Sequence, residues 1–517
     1  MPIYLAPFLI YLIQLGSARV ISFYTELRFM LYLAVDLGAE SGRVMLGTLE
    51  NGRISIEELS RFSNSPIRES EAIYWDIPAL FDGIREGLAK AGSLGQAITS
   101  VSADSWGVDY VLIDEYGEIM EPVFHYRHPR TADGEKNILT KVDWPTLFDE
   151  SGVQYMLLNT SIQLGSEAPG RLAKARTVLT IADAFNYLLS GVGKIEVSMA
   201  STTQLYNPRL AKWSERLIGA LGFPRSIFPE VAQPATALGP LKPALADECG
   251  LANVKVVSSL SHDTACAVAA CPTESDRWAY ISSGTWSLMG LELSEPIVTD
   301  DCRELNFTNE IGYGNSIRLL KNIIGLWLVQ ECRRAWAAEG NEYSYTDLTD
   351  LAASAEHHRS VLNPSDPRFL APDNMPQRIS EICRETGQPV PESPGAILRC
   401  ALESLALLYA RTLREAEKLV GWQVEKLHIV GGGSRNALLN QLTADAANIE
   451  VVAGPTEATA SGNVLVQSIA AGEVAGLAEA RQIVRNSFDT ESFKPNPSQE
   501  LEAIRARFDQ LCGNDPL

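Results

Sequence analysis

Five short polar turns carry side chains suited to handling phosphate groups and sugar hydroxyls. Asp36-Leu37-Gly38-Ala39-Glu40-Ser41-Gly42-Arg43 follows the apolar run Leu31–Val35. Glycines in such a turn let backbone amides face an anion. Ser41 adds a donor and Arg43 a charge, and Asp36, at a strand end, suits a magnesium ion held through water. The same residues would equally make an ordinary hairpin. A second turn, Ser282-Ser283-Gly284-Thr285-Trp286-Ser287, has the same small-residue character about 240 residues later. Two such turns from opposite walls of a cleft could grip a triphosphate, which neither would do alone. Gly431-Gly432-Gly433-Ser434-Arg435-Asn436 lies between a strand-like and a helix-like segment, and three glycines would let a flat nucleoside lie against the backbone. The spacing is not GxGxxG, and no acidic residue follows at the distance a dinucleotide site needs.

Two further turns carry acids. In Ser261-His262-Asp263-Thr264, Asp263 either caps the Ala-rich helix that follows or accepts a proton from a sugar hydroxyl. In Asp104-Ser105-Trp106-Gly107-Val108-Asp109, carboxylates and an indole face together suit a polyhydroxylated ligand. The sequence contains no Walker A, HRD/DFG, GxSxG or HExxH motif.

Strands and helices must alternate to present these turns, and the chain reads as an α/β protein. Leu31–Val35, Val44–Leu49, Arg53–Leu59, Thr99–Asp104, Val254–Ser258, Ala279–Ser283, Trp286–Leu291 and Lys426–Val430 read as strands. Asp76 and Pro78 open a helix toward Ala91. Arg171–Leu189, Ile323–Trp336 and Ile397–Leu419 read as helices. A strand–turn–strand unit occurs twice, near residues 31–49 and 279–291, which predicts two related halves. The expected division is an extension over 1–29, a first domain over 30–272, a second over 273–495 and a tail over 496–517.

The 517 residues suffice for two cores. Acidic side chains number 64 against 43 basic ones, a net charge of -21, which repels nucleic acid and anionic membranes. The eight cysteines form no CxxC pair and read as buried thiols of a reducing cytoplasm. The apolar run Ile3–Leu15, broken by Pro7, is short of the ~20 residues of a membrane span. It also lacks the basic start of a signal peptide. Met30 directly precedes the first core strand, so residues 1–29 are expected to lie outside the fold.

Together these stretches resemble the FGGY carbohydrate kinases over residues 31 to about 495. Leu319-Leu320-Lys321-Asn322-Ile323-Ile324-Gly325-Leu326-Trp327 and the run from His428 to Leu442 add to the likeness. Within the family the members acting on L-rhamnulose are most similar, and the extension 1–29 is a departure. The resemblance implies two actin-like, ribonuclease-H-like domains flanking an ATP and sugar cleft. It implies Asp263 as catalytic base, and Gly107, His262, Thr264 and Asn322 at the ketose. Ala39, Glu40, Ser41, Gly42, Arg43, Thr285, Gln330 and Gly432 would bind ATP, with magnesium assisting. The implied reaction moves the γ-phosphoryl of ATP to the 1-hydroxyl of L-rhamnulose. Fuculose, xylulose or glycerol as acceptor remain alternatives, as does an actin-like ATPase without kinase activity.

Overall fold

The computed structural model describes residues 29–369, 374–496 and 498–513. Two twisted sheets organise it. The first contains β1 (Phe29–Leu37), β2 (Ser41–Glu50), β3 (Arg53–Ser63), β4 (Ile98–Ser105), β5 (Thr236–Pro240) and β6 (Lys255–Ser258), in the order β5-β6-β4-β1-β2-β3. The second contains β7 (Trp278–Ser283), β8 (Trp286–Leu293), β9 (Thr308–Ile311), β10 (Ile317–Ile324), β11 (Lys426–Val430), β12 (Val451–Ala453) and β13 (Glu491–Phe493), in the order β9-β10-β8-β7-β11-β12-β13. Each sheet leads from an antiparallel trio into parallel strands: β3-β2-β1 then β4 and β6, and β10-β8-β7 then β11 and β12.

Local chemistry sets these elements. Asn51 and Gly52 both take left-handed φ, 52° and 70°, which turns β2 tightly into β3. Asp76 caps α1 (Ile77–Ser93), accepting from the Ala79 amide at 3.0 Å, with Pro78 in the first turn. The central strand β1 is buried on both faces, which explains its nearly continuous apolar run.

Helices join the two sheets. α2 (Ile181–Ser190) packs on β4 and β6, and α3 (Asp263–Ala269) follows β6. In the second half, α4 (Trp327–Ala338), α5 (Pro394–Val420) and α6 (Ala437–Ala447) cover the sheet, and α7 (Ala458–Ala470) crosses back to the first. A Cβ on Gly462 of α7 would lie 1.9 Å from the Cys266 carbonyl of α3, so glycine is needed where the two helices meet. Gln467 of α7 accepts from Ser100 Oγ at 2.6 Å and donates to the Leu33 carbonyl at 2.9 Å. These buried bonds tie the second half to the central strands of the first.

Two sequence readings change. Thr177–Thr180, expected within one long helix, is a strand paired with Tyr110–Ile113, and it separates the short helix Pro169–Leu172 from Ile181–Ser190. Its Thr-Val-Leu-Thr composition suits a pleated surface. Ile323 and Ile324 end β10 rather than start a helix, since Gly325 breaks the strand before α4. In the segment expected as a tail, α8 (Gln499–Cys512) buries Leu501, Ile504, Phe508 and Cys512, and β13 just before it pairs at the sheet edge. The expected extension 1–29 lies outside the described residues except for Phe29, which pairs with Glu50 in β1–β2. Among the described residues, all eight cysteines are free and buried, and no helix is long and apolar enough to cross a membrane.

Candidate active site

The carboxyl ends of β1, β4, β6, β7 and β11 open into one cleft, where α/β sheets generally bind ligands. A cavity of about 310 Å³ there is lined by Asp36, Ala39, Arg43, Gly107, His262, Asp263, Thr264, Thr285, Asn322 and Gly432. A neighbouring cavity of about 810 Å³ is lined by Ser41, Gln330, Arg435 and Asn436, and it shares Asp36, Gly38, Arg43, Gly284, Gly432 and Thr456 with the first. The two spaces therefore meet where both small-residue turns and the glycine run converge.

Twelve of the fourteen sequence-predicted residues line one space or the other, and Glu40 and Gly42 line neither. Glu40 is ion-paired with Arg334 of α4, across the two halves. Gly42 lies within β2, where a Cβ would fall 2.2 Å from the Phe62 ring, so the residue serves packing. The glycine run also divides. Gly431 has φ 84°, and a Cβ on Gly433 would fall 2.0 Å from Ser283 Oγ, so both let this loop nest on the second turn. Gly432 alone has open space around a Cβ, with nothing within 4 Å.

Asp263 is the first residue of α3, not its cap; His262 holds the cap position and makes no side-chain cap bond. Asp263 Oδ1 accepts from Thr264 Oγ1 at 3.2 Å, so Thr264 braces the carboxylate. Although 30% of the Asp263 side chain is open to the cleft, protein encloses it at longer range. That burial, reinforced by the charge of Asp36, lifts its pKa to about 7. Asp104 is fully buried, accepts from Asn463 Nδ2 at 2.6 Å, and has a second oxygen without a hydrogen-bond partner among the described residues. Burial and the charge of Asp36 hold its carboxyl well above the usual range.

Asp36 pairs with Arg43, which also donates to Glu457 at 2.7 Å. Among the described residues no group of three or more His, Cys, Asp and Glu side chains is arranged to hold a metal alone. Asp36 lines both cavities where they meet, which nevertheless fits Mg²⁺, an ion that takes one or two carboxylates and completes its shell with phosphate oxygens and water.

The Asp104–Asp109 turn acts differently from the expectation of a carboxylate-lined sugar site. Asp109 lies beneath the cavity and accepts from the indoles of Trp75 at 2.7 Å and Trp106 at 2.9 Å, and from Gln163 Nε2 at 2.9 Å. Only Trp106, Gly107 and Val108 of that turn reach the cavity. Sequence reasoning missed Gln154, whose side-chain oxygen accepts from Asn322 N at 2.9 Å and Nδ2 at 3.1 Å across the two halves. It also missed Arg318, fully buried beside His262. An arginine inside the apolar run of β10 was the available signal.

Models of the FGGY family of carbohydrate kinases match the chain over residues 31–270 (N-terminal domain) and 279–471 (C-terminal domain). The chain belongs to the FGGY family of carbohydrate kinases. It is 42% identical to a rhamnulokinase of Enterococcus faecalis over 469 residues, 90% of this chain and 94% of that one. It is 40% identical to a rhamnulokinase of Bacteroides thetaiotaomicron over 480 residues, 92% and 98% of the two chains. The structure of a ligand-bound xylulose kinase from Lactobacillus acidophilus superposes with a TM-score of 0.76 at 14% identity, covering 93% of this chain and 97% of that chain. This FGGY kinase therefore has the two-domain, actin-like fold expected of its sequence.

Proposed function

We propose that this FGGY kinase transfers the γ-phosphoryl group of ATP to the 1-hydroxyl of L-rhamnulose, in the cytoplasm. The observation that carries the reading is Asp263: a carboxylate at the carboxyl end of the first sheet, with a pKa near neutrality, facing a cavity that joins the glycine-lined turns. A base near its working pH is best matched to taking a hydroxyl proton. The smaller cavity holds the sugar, and Val108, Val153, Met156 and Leu158 give it an apolar wall suited to the methyl group of a 6-deoxyketose. Gly107, His262, Thr264 and Asn322 surround the sugar, Thr264 through its brace on Asp263. The larger cavity holds the nucleotide, with Gly432 against its flat face and Gln330 Oε1, which has no hydrogen-bond partner among the described residues, accepting from it.

Arg43, Thr285 and the backbone at Ala39 and Ser41 meet the phosphates where the cavities join. Glu40 and Gly42 act by shaping that turn. Bound Mg²⁺ would offset phosphate charge, and Asp36 would hold it. Asp263 orients the 1-hydroxyl in line with the γ-phosphate and takes its proton as the oxygen attacks. Closure of the cleft would exclude water from that position. The eight unpaired thiols support a reducing compartment.

A coupled ADP-release assay over L-rhamnulose, L-fuculose, D-xylulose and glycerol tests the reading. The highest kcat/KM is expected with L-rhamnulose and the phosphate on O1. A higher value with any other acceptor would overturn the substrate assignment.

A further inference from the structure

We infer that Arg318 is a positioning residue of the sugar site, fixing His262 as the tautomer that carries its proton on Nε2, the ring nitrogen facing the cavity. The inference rests on reading the smaller cavity as the sugar site. Arg318 lies on β10 in the second half, fully buried, and His262 lies at the end of the first sheet. Nη2 of Arg318 is 3.1 Å from His262 Nδ1 and 3.0 Å from Glu310 Oε2, and Nε lies 3.4 Å from the Ile311 carbonyl. A guanidinium carries donors only. Nδ1 must therefore accept, and the ring proton must sit on Nε2.

The surroundings make that choice matter. Nε2 lies 3.6 Å from Asp263 Oδ1, and a Cβ on Gly107 would be 3.2 Å from it, so glycine leaves this ring edge open to the cavity. The His262 amide donates to Ser198 Oγ at 3.1 Å, which anchors the backbone of the ring. Burial and the adjacent Arg318 charge keep His262 neutral. A neutral Nε2–H can only donate, so it takes a sugar oxygen next to the hydroxyl that Asp263 deprotonates. Without Arg318, Glu310 Oε2 at 3.6 Å would draw the proton to Nδ1. Nε2 would then present a lone pair to the Asp263 carboxylate and to every sugar oxygen that is not donating. Arg318 thus decides, from the opposite half, whether His262 donates to the ligand.

The test uses the full chain with ¹⁵N-labelled histidine, of which there are six, and a His262→Gln sample to assign the signal. The wild-type spectrum is expected to show His262 protonated on Nε2, and Arg318→Met to show proton density on Nδ1. The KM for L-rhamnulose is expected to rise about tenfold in Arg318→Met, with the KM for ATP unchanged within about twofold. Arg318→Lys, which retains a donor, is expected to restore the Nε2–H signal. A wild-type Nδ1–H signal overturns the inference whether or not the variants fold, as does an unchanged tautomer in Arg318→Met. The spectra need no substrate, so an Nε2–H wild type that fails to phosphorylate L-rhamnulose would overturn the proposed activity and not the tautomer.

Discussion

The two halves carry the same sheet plan and opposite chemistry at matching turns. After the first parallel neighbour of the central strand, β4 leads to Trp106-Gly107 and β11 to Gly431-Gly432-Gly433. After the second, β6 leads to His262-Asp263 and α3, while β12 leads through Thr456-Glu457 to α7. In the first half these turns present an indole, an imidazole and a carboxylate of raised pKa to the small cavity. In the second they present an open glycine, and Glu457, the acid just before α7, is tied to Arg43. In the proposed reaction a duplicated frame thus separates two tasks: the first half recognises hydroxyls and moves a proton, and the second leaves backbone open to a flat nucleotide.

These two acids offer the strongest way to break this contrast. Asp263→Asn is expected to lower kcat by about 10²–10⁴-fold while L-rhamnulose still binds by calorimetry. Retention of near-full kcat would make Asp263 as structural as its counterpart. A smaller effect comes from pH. In the proposed mechanism Asp263 works as the ionised form, and with its pKa near 7, kcat/KM should fall about tenfold per pH unit below that value and level off above it. The residual rate of Asp263→Asn should be flat over the same range, and a flat wild-type profile would remove Asp263 as the titrating base. The smallest change is expected in Glu457→Gln. Its pair with Arg43 is partly exposed, so kcat/KM for ATP should fall no more than about fivefold in steady-state assays. A loss rivalling that of Asp263→Asn would show that the two acids share a task.

Much of this contrast was legible in the chain because glycine and acidic turns after apolar runs follow from local backbone chemistry. Asp36, Gly107, Asp263, Thr285 and Gly432 were found that way or through the family likeness, and all line the cleft. What stayed hidden depends on contacts between residues distant in sequence. Gly42, Gly431 and Gly433 look like ligand-cradling glycines until Phe62 and Ser283 are seen against them. Asp109 looks like a ligand carboxylate until two indoles and a glutamine converge on it from beneath. Arg318 and Gln154 act across the two halves, so no spacing could announce them. Thr177–Thr180 became a strand through its partner Tyr110–Ile113, and periodicity alone ran it into the following helix.

The division of labour is tested most directly at the two matched glycines. Ala at 107 would press on the open edge of His262, and Val at 432 would fill space that nothing else occupies. Calorimetric titrations of Gly107→Ala and Gly432→Val, each with L-rhamnulose and with a non-hydrolysable ATP analogue, read both tasks separately. Gly107→Ala is expected to weaken the sugar about tenfold and leave the nucleotide unchanged, and Gly432→Val to do the reverse. Equal loss of both ligands in either variant would contradict the account.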